Sequence, residues 1–510
     1  MSRGYWVSAM ARFSSITHNE LVEGHRPWPR AVVAEEGWQQ AINQLTTGQC
    51  SLFGLWGDAP EVHMALLDKE TSDVAVISYT CKSGKYPSVA ARHPPAIRLE
   101  RAIRDLFGLD AVDTLDARPW LDLGFWSVRH PLGEKGPARK PGPYEFLPAE
   151  GEGLHQIPVG PVHAGIIEPG HFRFTANGEH VVRLEQRLGW VHKGIESLMH
   201  GATLEEATKL ASRTSGDSTV AYAFAFARAA EAALQVKVPS RATYLRGLMA
   251  ELERLANHFG DIGAICNDAS FSPMYAQCGI LRERALRAAE ACFGHRLMMD
   301  AIVPGGVARD IALEGTEHVK TLLAEVRRIF PRLIELYDNT ASLQDRTVTT
   351  GIVRPELAQQ FGAGGYVGRA SGRAFDARRV LTYAPYDKLS FDVPVLAAGD
   401  VNARVWIRIR EIEQSLSLID QILAAAPSGE IKATIGKTKS CEGLGVAEAF
   451  RGDVLVWLKI DGKGRVARCH LRDASWFQWP LLEAAIEGNI VADFPLCNKS
   501  FNCSYSGHDT

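Results

Sequence analysis

The chain has 510 residues, a net charge of −3, 46% hydrophobic and 23% charged residues. At about 150 residues per domain this is too long for one ordinary domain, and the near-neutral charge gives no electrostatic footprint for nucleic acid. The most apolar stretch, residues 220–234, is interrupted by Arg228 and Glu231. It falls short of the ~20 apolar residues that span a bilayer, so no direct membrane span is expected, and residues 1–15 lack the apolar run of a signal peptide.

Residues 1–130 are expected to form a small α/β domain. Apolar or alternating runs at 51–56, 63–67 and 74–79, bounded by turn residues, predict strands. The spacing of Ile97, Leu99, Ala102, Ile103, Leu106 and Phe107 predicts a helix that Gly108 ends. Residues 131–160 carry Pro131, Gly133, Gly136, Pro137, Pro141, Gly142, Pro143 and Pro148. That density predicts a linker without regular elements. Strands at 171–175 and 180–184 flank Asn177-Gly178, a hairpin signal within a two- or three-stranded ribbon over 161–190.

From about 193 to 340 the period turns helical. Helices are predicted over 204–211, 219–235, 241–263, 276–300 and 315–338, packed as a bundle, with another over 396–426. The region 440–495 is expected to return to strands, with a hairpin of 453–460 and 465–471 around Asp461-Gly462-Lys463-Gly464. No Gly-x-Gly-x-x-Gly follows a strand, so NAD binding by this chain itself is not expected.

Nine cysteines, an odd number with no Cys-x-x-Cys pair, fit a reducing cytoplasm and give no tetrathiolate motif. Several short motifs follow one another along the chain. They include Gly160-Pro161-Val162-His163-Ala164-Gly165, Gly189-Trp190-Val191-His192-Lys193-Gly194, Arg246 with Glu251 and Arg254, Gly305-Gly306, Asp400 to Arg404, and Arg451-Gly452. In these the chain resembles the large subunit of membrane-bound, energy-converting [NiFe] hydrogenases of the hydrogenase-4 and formate hydrogenlyase type. That subunit is homologous to the large subunit of complex I, the NADH-quinone oxidoreductase. Tyr86 to Val89 and Glu100 to Gly108 are similar to the small complex I subunit that some members carry as a fusion. The resemblance implies an α+β fold: the α/β domain of 1–130, the linker of 131–160, and a large helical-bundle domain with β-ribbons over 161–510.

In the hydrogenase members two Cys-x-x-Cys pairs hold nickel and iron, and thiolates are soft ligands suited to such metals. The positions matching those thiols here are Ser215, Ser218, Ser504 and Gly507. A serine hydroxyl is normally protonated and cannot bridge two metals as a thiolate does. No nickel–iron centre, no metal ligand set and no hydrogenase activity are therefore expected of this chain, although shifting the alignment by one residue leaves Cys503 as a single surviving thiol. Cys497, Cys503, His508 and Asp509 are close in sequence, but their spacing is unusual for a structural zinc site, and a disordered or packed tail with incidental thiols is the preferred reading. The resemblance makes Glu168 a proton-transfer candidate and His163 a loop residue near the site, with Asp217 as a third polar candidate. Ile167 and Gly216 stand where the complex I pattern has a histidine and a tyrosine for quinone, and Asp268 is preferred as a helix-terminal residue. His192, Arg246, Glu251, Arg254 and Arg309 are expected to be structural.

The implied role is a peripheral subunit on the cytoplasmic side of the inner membrane, in a complex that couples electron transfer to ion translocation. Its implied partners are an iron–sulfur small subunit with a [4Fe-4S] cluster, a ferredoxin-like subunit and antiporter-like membrane subunits. A non-catalytic scaffold and a quinone-reducing subunit of NADH dehydrogenase type are the alternatives.

Overall fold

The computed structural model of the chain describes residues 19–163, 167–436 and 439–510. Ala164 and Gly165 of the loop motif, and residues 1–15, lie outside them. A five-stranded mixed sheet opens the described chain: β1 (Asn19–Leu21), β2 (Arg30–Val33), β3 (Cys50–Asp58), β4 (Glu61–Asp68) and β5 (Val74–Thr80). Their order is β1-β2-β5-β4-β3, with β2 and β5 parallel and the other neighbours antiparallel. The helices α1 (Glu35–Thr46) and α2 (Ile97–Phe107) cover one face. Gly108 closes α2 in the left-handed conformation, as its position predicts.

Alternation along β4 and β5 decides where each face of the sheet is buried. Val62, Met64, Leu66, Ala75 and Ile77 face the helices. Ala65, Leu67, Val74 and Val76 face the other way, onto Leu444, Val446, Leu455 and Trp457. The N-terminal unit therefore packs sheet on sheet against the C-terminal part of the chain.

The expected linker holds β6 (Leu154–Val159), the edge strand of a three-stranded ribbon with β7 (His171–Asn177) and β8 (His180–Arg187). Gly and Pro density hid it, and Pro158 is tolerated because the strand has an open edge. The bundle follows: α3 (Leu204–Ser212), α4 (Thr219–Leu234), α5 (Ser240–Asp268), α6 (Ser272–Phe293), α7 (Leu313–Asn339) and α8 (Val401–Ala425). Helix α6 stops at Gly294, left-handed with its N–H on the Glu290 carbonyl, so residues 294–300 are not helical as expected. Helix α8 begins only at Val401, because the Asp400 side chain caps it by accepting from the Ala403 N–H.

A second sheet comprises β9 (Cys441–Ala449), β10 (Gly452–Ile460) and β11 (Val466–Arg472), with the short strand His25–Arg26 beside β9. The expectation of strands to residue 495 ends there. The chain continues as α9 (Ser475–Ile486) and α10 (Phe494–Phe501). Helix α9 is buried nearly all round, so it has no polar face to reveal its period, and Pro480 inside it is a misleading breaker.

Candidate functional site

The two halves of the expected site converge. The first leaves α3, runs extended through Ser215, and makes a short 3-10 turn over Gly216–Ser218 into α4. The second leaves α10 through Asn502, whose left-handed backbone turns residues 503–507 back towards α4. Ser504 Oγ lies 3.4 Å from Ser215 Oγ, and the Gly507 N–H donates to Ser504 Oγ at 2.9 Å.

Arg451, at the turn between β9 and β10, ties the halves together. Its guanidinium donates to both carboxylate oxygens of Asp217, at 2.8 and 2.6 Å, and to Ser218 Oγ at 3.2 Å. Its Nε donates to the Asn502 carbonyl. The Ser215 hydroxyl adds a 2.6 Å hydrogen bond to Asp217. Burial raises the Asp217 pKa, but Arg451 and the two serine hydroxyls outweigh it and hold the carboxyl at about 2. Asp217 is thus an anion with a fixed counter-charge.

These residues do not fit a thiolate-held nickel–iron centre. Three of the four thiol positions present hydroxyls, and the fourth has no room for a side chain. A Cβ at Gly507 would lie 2.7 Å from both Tyr222 Oη and Asp473 Oδ2, which are themselves hydrogen-bonded. The one nearby thiol, Cys503, is turned towards Gln478 Oε1 at 4.0 Å, and burial pushes its pKa up, favouring the neutral form.

Cys497 and Cys503 pack with separate partners, while His508 Nδ1 and Asp509 Oδ1 are hydrogen-bonded to each other at 2.9 Å. Cys497 sits beside Gly351 and Arg404. His508 stacks on Trp476 and receives the Trp120 Nε1–H, while Asp509 accepts from the Gly189 and Val191 N–H groups. Among the described residues no three His, Cys, Asp or Glu side chains gather to hold a metal ion.

A polar cavity of about 260 Å³ adjoins the Arg451–Asp217 pair, lined also by Glu168, Lys499, Asn502 and Cys503. Glu168 is exposed and accepts from the Ser506 N–H at 3.1 Å. A larger cleft of about 650 Å³ shares Ile167, Asn498, Lys499 and Tyr505 with it, and adds His163, Asp268 and Tyr275. His163 Nε2 is held on the Gly170 carbonyl at 2.7 Å. Asp268 is the last residue of α5; burial raises its pKa, against the lowering charge of Lys499.

The structural group is mostly engaged as expected. Arg246 pairs with Glu231, Arg254 with Glu251, and Glu251 with Arg378, Tyr386 and Ser415. His192 stacks on Trp126 at 4.6 Å. Arg309 differs: it is exposed and lines an open cleft beside Gly294. Sequence reasoning missed Arg451 and Lys499 as site residues. Arg451 stood inside a recurring motif, but nothing local in the sequence pairs it with Asp217.

One pocket is thus assembled from two segments at opposite ends of the helical-bundle unit. The family described as respiratory-chain NADH dehydrogenase, 49 Kd subunit, matches residues 268–444 and 436–510, and nickel-dependent hydrogenase matches residues 193–260. Formate hydrogenlyase subunit 5 of Escherichia coli (strain K12) is 32% identical over 438 residues, covering 83% of this chain and 77% of that protein. An NADH-quinone oxidoreductase subunit of Roseiflexus sp. (strain RS-1) is 32% identical over 352 residues, covering 66% of this chain and 94% of that protein. A solved chain of the membrane-bound sulfane sulfur reductase, an archaeal respiratory membrane complex, superposes with a TM-score of 0.67 at 25% identity, covering 70% of this chain and 99% of that one. The chain belongs to the family of large subunits shared by membrane-bound hydrogenases of the formate hydrogenlyase and hydrogenase-4 type and by NADH-quinone oxidoreductases of complex I type.

Proposed function

We propose that this chain is a peripheral subunit of a membrane-bound respiratory complex, taking part in electron transfer coupled to ion translocation without a nickel–iron centre of its own. The observation that carries this reading is the Arg451–Asp217 pair. It binds the two halves of the site together in place of thiolate ligands and leaves a polar cavity beside it. A decayed pocket would be expected to fill with apolar side chains, because an unsupported buried charge is costly. Here charge and hydrogen bonding are retained. Among the described residues no helix is long and apolar enough to cross a membrane, so attachment through partners fits. The partners in this reading are a small subunit carrying a [4Fe-4S] cluster, a ferredoxin-like subunit and antiporter-like membrane subunits, with the chain on the cytoplasmic face. Glu168 moves protons between solvent and the cavity, while Asp217 stays ionised and orients polar groups of the acceptor.

The cleft of about 650 Å³ beside the polar cavity favours a second reading, in which the acceptor is a quinone whose ring occupies that cleft. His163 and Lys499 then supply hydrogen bonds in place of the missing histidine and tyrosine.

Both readings are tested on the purified complex. Nickel should fall far below one atom per chain. Glu168→Gln with Asp217→Asn should abolish electron transfer to added acceptors while the complex still assembles. Stoichiometric nickel overturns the proposal. Unchanged electron transfer in the double variant leaves a scaffold instead.

A further inference from the structure

Glu253, on α5, is a buried carboxyl with no ion-pair partner in hydrogen-bonding range among the described residues. Its oxygens accept only from the Val220 and Ala221 N–H groups, at 2.7 and 3.2 Å, in the first turn of α4. Beside it lies a cavity of about 100 Å³, lined by Asp217, Glu253 and Asn257 and by Gly216, which is exposed. Arg282 and Arg296, both exposed, also line it, together with Ala256, Ala285 and Ala289. By this measure a water needs ~10–15 Å³ and two or more polar partners, so several waters fit among the polar groups of the lining.

Asp217 lines this cavity and also the polar cavity of the candidate site. Gly216 and Asp217 line both spaces, and Gly216 presents no side chain. Glu253 lines the first space beside the two residues that it shares with the second.

We propose that Glu253 is a second proton-exchange group of the candidate site, beside Glu168, taking a proton from solvent through the cavity lined by Arg282 and Arg296 and passing it, by water, to the acceptor beside Asp217. The balance is one proton: one water receives it from the Glu253 carboxyl, and another water, in exchange with solvent, restores it. The proposal rests on the reading of the Asp217 cavity as a working site.

The groups facing Glu253 agree with this role. Burial pushes its pKa up to about 8, against the two N–H hydrogen bonds, and the Asp217 charge adds to the rise. Arg254, on its own helix, opposes it but is engaged with Glu251 and the Glu448 and Ala449 carbonyls. From α6 and the segment after it come Arg282, and Arg296 paired with Glu283. Helix α4 offers backbone N–H groups. Arg451 lies beyond Asp217, saturated by it.

The test uses the intact complex and two readouts. Infrared spectra at neutral pH should show a protonated carboxyl band that is absent in Glu253→Gln, a variant that keeps an acceptor for both N–H groups. In D2O the band should shift at once in the wild type and about tenfold more slowly in Ala289→Val, which narrows the cavity. Turnover should drop about a hundredfold in Glu253→Gln, in the range of general acid–base contributions, and recover partly in Glu253→Asp. A difference spectrum of wild type against Glu253→Gln that lacks a protonated carboxyl band, or exchange that Ala289→Val does not slow, overturns the proposal. So does unchanged turnover in Glu253→Gln while Asp217→Asn is slow, a result that leaves the reading of the site itself intact.

Discussion

Asp217 and Arg451 are 234 residues apart in sequence and meet in a bidentate ion pair. Removing one partner of a fully buried pair costs ~3–5 kcal/mol, because the other charge stays in low dielectric. The Asp217 side chain keeps 33% exposure, so Asp217→Asn should destabilise the chain by about 2 kcal/mol at neutral pH. The sign with pH follows from its depressed pKa. The stabilisation is complete above the unfolded value near 4 and is lost as pH falls through about 2. Urea unfolding of Asp217→Asn against wild type should therefore show a gap that closes in strong acid. Adding Arg451→Gln should recover part of the loss, since the stranded charge is gone; an additive double variant would rule out the pairing. Sequence alone could nominate Asp217 by its place in the motif. It could not nominate Arg451 as its partner, because a contact across 234 residues leaves no local signal.

At the level of elements, legibility followed period and punctuation. The ribbon of β7 and β8 and the hairpin of β10 and β11 were readable because turn residues sit between runs of strand formers. Helix α2 was readable from its stripe and its Gly108. Helix α9 was not, because burial on every side erases the contrast on which a period depends. Nor was the approach of α4 to β9. The alanines of α4 and two glycines of β9 let helix and strand touch backbone to backbone: a Cβ at Gly445 would overlap the Ala225 carbonyl and lie 2.5 Å from the Ala229 nitrogen. Gly445→Ala should then cost about 3 kcal/mol, the upper range for overpacked cores, and lower the thermal midpoint. Gly279, exposed within α6 with open space around it, makes the contrast. There Gly279→Ala should stabilise by about 0.5–1 kcal/mol through helix propensity. If both substitutions had the same sign, backbone contact would not be what fixes Gly445.

Across the whole molecule, the N-terminal sheet meets the C-terminal sheet through a cluster of aromatic rings and imidazoles. Trp56 stacks on His470 at 5.1 Å and touches His63 and Trp457, and His25 lies nearby. The Nε2 atoms of all three histidines, and both indole N–H groups, have no hydrogen-bond partner among the described residues. Burial is the leading cause that lowers His25 to about 4, and it drives His63 well below 6.5, with Arg30 adding in both. A histidine held neutral by folding stabilises fully above its unfolded pKa. It loses that contribution as pH falls from about 6.5 to its folded value, since the unfolded chain binds the proton first. For His25 the interval amounts to about 3 kcal/mol at ~1.4 kcal/mol per unit. Buried carboxyls work against this slope. Burial raises Glu100 and Glu448 to about 7 and Glu253 to about 8, so each favours folding more at low pH than at high. Total stability against pH is thus a sum of opposing terms, and only a difference isolates the joint. Asn at position 25 keeps an N–H for the Trp28 carbonyl, which the His25 Nδ1 contacts at 2.7 Å, and removes the titration. Relative to wild type, His25→Asn should gain about 3 kcal/mol of unfolding free energy between pH 7 and pH 4, whatever its absolute stability. A gap that stays constant over that range would mean that the imidazole is as accessible to protons in the folded chain as in the unfolded one, and that the joint between the two sheets is not what holds it neutral.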